Sequence, residues 1–138
     1  MQQKTITDET LKKGVDTLAG RDPDLHRVYA RLGYPPLWTR EPGFASLVHI
    51  ILEQQVSIKA AATMFERLAS HLESVTPDSV KRAGESGLRS VGLTRQKSRY
   101  CVELANRITS GELDLSQLES LDDGLGRSHL LNVPGLGP

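Results

Sequence analysis

Two short segments of this chain carry residue types that could do more than build a core. One is Leu130-Leu131-Asn132-Val133-Pro134-Gly135-Leu136-Gly137-Pro138, where a helix gives way to a Pro-Gly-x-Gly turn. Glycine at such positions permits positive φ and lets the backbone approach a partner closely. If a helix followed the turn, its N–H groups and dipole end would bind a phosphate. That chemistry grips a nucleic-acid backbone without reading sequence. Outside that context the same residues read as a plain turn. The other segment is Ile51-Leu52-Glu53-Gln54-Gln55-Val56-Ser57, with two adjacent glutamines at a helix end before a capping serine. Gln54 and Gln55 read either as a polar helix terminus or as a polar probe that enters a DNA base stack.

Other chemistries find little support. Cys101 is the only cysteine, so the 138 residues hold no internal disulfide and no cysteine-ligated cluster or zinc site. His26, His49, His71 and His129 lack a second ligand at metal-binding spacing and read as ordinary histidines. Lys plus Arg and Asp plus Glu both count 17, so net charge gives no argument for a nucleic-acid partner. Its distribution gives a weak one. From Lys81 to Arg107 seven basic residues (Lys81, Arg82, Arg89, Arg95, Lys97, Arg99, Arg107) face only Glu85 and Glu103, which permits either a basic face or a solvated one. No stretch reaches the ~18 apolar residues of a membrane span. Met1-Gln2-Gln3-Lys4 opens no apolar signal region, so no membrane association and a cytoplasmic location are expected.

The elements that must position these residues are helical. Thr7-Asp8-Glu9 is a start signal, and Asp22-Pro23 reads as an N-cap with proline at the first helical position. Leu25, Val28, Tyr29 and Leu32 make one apolar face, which Gly33 ends. Tyr34-Pro35-Pro36-Leu37-Trp38 is a loop because two prolines forbid helix. A helix is expected from Gly43 to about Gln54. After Ser57 another carries Ala61, Met64, Phe65, Leu68, Ala69 and Leu72 on one face, the cleanest amphipathic pattern in the chain. Thr76-Pro77-Asp78 opens a short helix, and Gly84, Gly87 and Gly92 are expected to break this region into pieces. Thr94, Asp114 and Asp122 read as caps of later helices. With no alternating strand pattern, the expectation is an all-α bundle or barrel forming a single domain over residues 1–138.

In this order the segments resemble a known family. Phe44 with Leu47-Val48, Gln54-Gln55-Val56-Ser57, Lys59-Ala60-Ala61, Val91-Gly92-Leu93, Arg95-Gln96-Lys97 and Val133-Pro134-Gly135-Leu136-Gly137 are similar to the helix–hairpin–helix DNA glycosylases, above all the bacterial 3-methyladenine DNA glycosylase II group. The resemblance runs from about Asp22 to Pro138. It implies an enzyme that flips a damaged nucleotide out of double-stranded DNA in the bacterial cytosol or nucleoid. Gln55 or Gln54 would fill the gap, Gly135 and Gly137 would belong to the phosphate-gripping hairpin, and Ser57, Lys59, Arg95, Gln96 and Lys97 would lie close to DNA. Trp38 and Tyr34 would line the pocket for the base, although as bare residues they read equally as packing. No cofactor is implied beyond a structural monovalent cation on the carbonyls of Leu131, Val133 and Leu136. The physics is coherent. Flipping costs a few kcal/mol, less at a damaged pair. An alkylated purine is cationic, so an aromatic face attracts it and the base leaves readily. One carboxylate then suffices to stabilise the oxocarbenium-like sugar.

The chain departs from the family at its end. The catalytic aspartate of the family follows the second hairpin helix, whereas these residues stop at Pro138 inside the turn. No catalytic residue is assigned. Asp122 and Asp123 read as a helix start, and Asp8 and Glu9 lie at the other end. The 138-residue chain is therefore expected to be inactive alone, and either marginally stable or a homodimer that covers its open apolar face. Two other readings stand beside the glycosylase: a non-enzymatic lesion- or DNA-binding module, and an inactive self-associating helical relic.

Overall fold

A computed structural model describes residues 5–137. Met1 to Lys4, read above for a signal, and Pro138, read above as part of the turn, lie outside the described residues. Among those described the fold is all-α: α1 (Asp8–Arg21), α2 (Pro23–Leu32), α3 (Phe44–Glu53), α4 (Ile58–Leu72), α5 (Pro77–Val91), α6 (Arg95–Thr109), α7 (Leu115–Leu118) and α8 (Asp123–Leu131). No described helix is long and apolar enough to cross a membrane.

Local chemistry sets the starts. Side-chain oxygens of Thr7, Asp22, Ser57, Thr76, Thr94, Asp114 and Asp122 each accept a backbone N–H of the first turn they precede, which satisfies donors a helix otherwise leaves unpaired. The stretch with three glycines meets the expectation at two of them. The helical run α5 (Pro77–Val91) is interrupted at Gly84, whose φ of 67° and ψ of 178° are not helical, and Gly92 (φ 121°) ends it; only at Gly87 does the helix continue. Val80 and Leu88, one on each side of Gly84, are fully buried. That anchorage outweighs the cost of about 1 kcal/mol for helical Gly87.

Where the sequence reading expects one domain, the chain groups into two compact units that divide between Arg40 and Glu41. The first holds α1 and α2, which pack on each other but contain no buried residue. An apolar groove of about 390 Å³ in this unit is lined by residues including Val15, Leu18, Val28, Leu32 and Pro36. The second unit holds α3 to α8 around a core that includes Val48, Ile51, Leu52, Leu68, Leu88 and Leu104. Ala61 and Leu68 point inward from α4, with Met64, Phe65 and Leu72 packed beside them, as the amphipathic pattern requires. Cys101 is fully buried in this core. Burial pushes its thiol up to about 12, against a smaller opposing influence of Lys97.

Candidate nucleic-acid interface

The second unit brings the two segments of interest together. α3 ends at Glu53 because its C-cap, Gln54, turns extended (φ −64°, ψ 126°). Gln55 then takes φ 64°, a left-handed conformation that a residue with a Cβ rarely adopts. Ser57 restarts the chain as a helix, its hydroxyl accepting the Ala60 N–H at 3.1 Å. Everything from Gln54 to Ala60 is exposed, Lys59 included, so this loop and the first turn of α4 face solvent. Val56 and Ile58 add exposed apolar surface to it.

Two bonds tie this loop to distant parts of the unit. The Gln54 side-chain amide donates to the Gly135 carbonyl at 2.6 Å. The Lys97 ammonium donates to the Leu52 carbonyl at 2.8 Å, supplying the positive charge that a helix C-terminus favours. Gln54 and Lys97, both read as DNA contacts, thus have partners inside the protein. Gln96 also has one: its amide donates to the Tyr100 hydroxyl at 2.8 Å. Arg95 is exposed at the start of α6.

The hairpin turn leaves α8 through Asn132. Val133 is buried and anchors the turn in the core. Its N–H donates to Leu130 O at 3.0 Å, and its carbonyl accepts the Leu136 N–H at 3.1 Å. Gly135 has φ 91°, and a Cβ there would stand 2.6 Å from ring atoms of Tyr100. The turn therefore lies directly on the Tyr100 ring, over which the Arg99 guanidinium also sits at 5.7 Å. A Cβ at Gly137 would collide with the Leu131 side chain. Close approach and positive φ together require glycine at 135, whereas at 137 the flexible end of the Leu131 side chain would have to shift. Nothing in the sequence pointed to Tyr100 as the surface on which the turn rests; the one available signal was its i+4 spacing from Gln96.

Tyr34 and Trp38 belong to the first unit. There the Tyr34 hydroxyl donates to the Asp16 carboxylate at 2.8 Å. Its ring packs at 4.9 Å from that of Tyr29, with the Lys12 ammonium 5.7 Å from its centroid. Hydrogen bonding with Tyr29, then with Asp16, holds this hydroxyl above the usual tyrosine range. Trp38 is 88% exposed. Among carboxylates near the hairpin in sequence, Asp122 accepts the Leu125 N–H at 2.9 Å. Asp114 accepts from Ser116 and Gln117, which lowers its pKa, the Ser116 hydroxyl contributing most. Among the described residues no group of three or more His, Cys, Asp or Glu side chains is placed to hold a metal ion.

Residues 48–134 match the HhH-GPD superfamily of base excision DNA repair proteins, which is more than half of the chain. Among solved structures, a DNA-3-methyladenine glycosidase from Bacillus halodurans superposes with a TM-score of 0.74 at 30% identity, over 89% of this chain and 58% of that one. A 3-methyladenine DNA-glycosylase from Archaeoglobus fulgidus superposes with a TM-score of 0.68 at 21% identity, over 91% of this chain and 46% of that one. The chain thus spans about half the length of these structures. No curated protein sequence matches it.

Proposed function

The chain belongs to the HhH-GPD superfamily of base excision DNA repair proteins, and from that premise we propose that it is the lesion-engaging part of a glycosylase acting on alkylated purines in double-stranded DNA. The observation that carries this reading is the 2.6 Å bond between Gln54 and Gly135. It joins the exposed glutamine loop to the glycine turn, so one side chain can probe the stack while the turn meets the backbone beside it. Lys59 and Arg95 supply exposed positive charge at the starts of α4 and α6, where phosphates would be attracted. Ser57, Lys97 and Gln96 hold the loop and helix starts in place. Gly137 lets the turn pass over Leu131. Trp38 and Tyr34 are proposed as aromatic surface for the cationic base. A monovalent cation on the carbonyls of Leu131, Val133 and Leu136 belongs to the same proposal. Val133 O accepts one hydrogen bond, and a carbonyl keeps a second lone pair for a cation.

The chemical step is assigned to no residue described here, since Asp114 and Asp122 serve as caps. The 138-residue chain is expected to bind a duplex with an abasic-site analogue, with affinity falling as salt rises, and to release no 3-methyladenine from alkylated DNA. A longer chain that adds the family's carboxylate is expected to release it. Equal affinity for intact and abasic duplexes would remove the lesion reading, and base release by the 138 residues would relocate the chemistry into them. Exposed Leu18, Val28 and Leu32 on the α1–α2 unit support self-association as a second reading. Sedimentation that stays monomeric at every concentration would sink that one.

A further inference from the structure

We propose that the two neighbouring glutamines divide their work: Gln55 is the side chain presented to DNA, and Gln54 is a positioning residue that locks the loop to the hairpin turn. The proposal rests on the DNA-binding reading above and refines it. Gln54 would have to give up its 2.6 Å bond to Gly135 O before it could enter a base stack. Gln55 is exposed, and its side chain makes no hydrogen bond among the described residues. Its left-handed backbone (φ 64°), a conformation that costs about 1–2 kcal/mol for a residue with a Cβ, is kept because the chain on either side is tied down. Leu52 O is held by Lys97 on one side, and Ser57 caps α4 on the other.

The partner end of the Gln54 bond is equally informative. The Gly135 carbonyl and the Leu136 N–H belong to one peptide unit. Gln54 engages the carbonyl, and Val133 O accepts the N–H at 3.1 Å. That peptide unit is held at both ends, and the Tyr100 ring packs against Gly135 beside it. Gln54 therefore sets the orientation of the turn's backbone together with the aim of the next side chain. Loss of its amide releases both at once.

The test uses the 138-residue chain and its Gln54→Leu, Gln55→Ala and double variants. Fluorescence anisotropy at fixed salt measures binding to one duplex, either intact or with a tetrahydrofuran abasic analogue. The readout is the ratio of the two dissociation constants. Gln54→Leu is expected to cut this preference about fivefold or more, the scale of one lost hydrogen bond. The double variant is expected to lose no more than Gln55→Ala alone, because Gln54 acts through its neighbour. An unchanged ratio in Gln54→Leu, or losses that simply add, overturns the division of work. Amide hydrogen exchange tests the brace without DNA. Gln54→Leu should speed exchange at Val56 and Leu136 and leave Leu68 and Leu104 as they were. Unchanged exchange at Val56 and Leu136 overturns the brace. Faster exchange at all four does so too, since Gln54 would then be an ordinary folding contact. If the unaltered chain itself shows no abasic preference, the DNA reading fails and the exchange result alone decides the brace.

Discussion

Gly135 meets two constraints at once, a φ of 91° and a Tyr100 ring that leaves no room for a Cβ. Gly135→Ala is expected to destabilise the chain by about 2–4 kcal/mol through backbone strain and overlap. Gly126 gives the contrast: it lies inside α8 with nothing within 4 Å of a built Cβ, so Gly126→Ala should gain up to about 1 kcal/mol. Urea denaturation of the two variants reads both signs, and equal effects would refute the account of the turn. The need for glycine here was legible in Pro134-Gly135-Leu136-Gly137, since such a run signals a turn with special backbone geometry. Its reason was not legible, because Tyr100 stands far from Gly135 in sequence. Ser98 was equally unreadable: its hydroxyl is buried without a hydrogen-bond partner among the described residues, and nothing in a helical pattern distinguishes it from an exposed serine.

Among elements, the C-terminus of α3 depends on a lysine from α6. Lys97→Met removes a hydrogen bond to a backbone carbonyl in a partly buried setting, so it should cost about 1.5–3 kcal/mol. Its effect on DNA binding distinguishes a brace from a phosphate contact. If Lys97 stays on Leu52, the slope of log affinity against log salt is unchanged in Lys97→Met. Lys59→Met, at the exposed start of α4, should lower the slope by about 1. A slope change in Lys97→Met returns that residue to the phosphate-contacting set. Helix starts were the most legible part of the fold, because Asp22, Ser57, Thr94 and Asp122 cap within their own first turn and the signal is local. The behaviour of α5 was legible only in part, since the breaks at Gly84 and Gly92 were expected and the helix through Gly87 was not. Whether Gly84 or Gly87 interrupts the helix depends on the burial of Val80 and Leu88, which is decided by other helices.

At the level of the whole molecule, the second unit keeps its one thiol sealed. With Cys101 fully buried and its thiol held near 12 chiefly by burial, an alkylating reagent should reach it only when the unit opens. At neutral pH, native labelling is expected to be slower than in denaturant by about 10³-fold or more. The sign of the pH dependence follows from the raised value. The neutral thiol favours the folded state, so the associated stability is complete below the ordinary thiol range and is lost as pH rises from there toward about 12. Labelling that tracks thiolate formation at mildly alkaline pH, with no change in folding, would contradict this. The all-helical class and the order of helices were legible from periodicity alone. The division between Arg40 and Glu41 was not, because prolines at 35, 36 and 42 announce a loop without saying whether the chain beyond it joins the same core.

The position of Trp38 has an optical consequence. It is the chain's only tryptophan, it belongs to the smaller unit, and it is 88% exposed. Its indole already meets water in the native state, so intrinsic emission should be red-shifted before any denaturant is added and should change little as the core of the second unit melts. A flat emission trace would then accompany a full loss of helical circular dichroism. The two signals would describe different parts of one molecule, and only the second would report the unit that carries the glutamine loop.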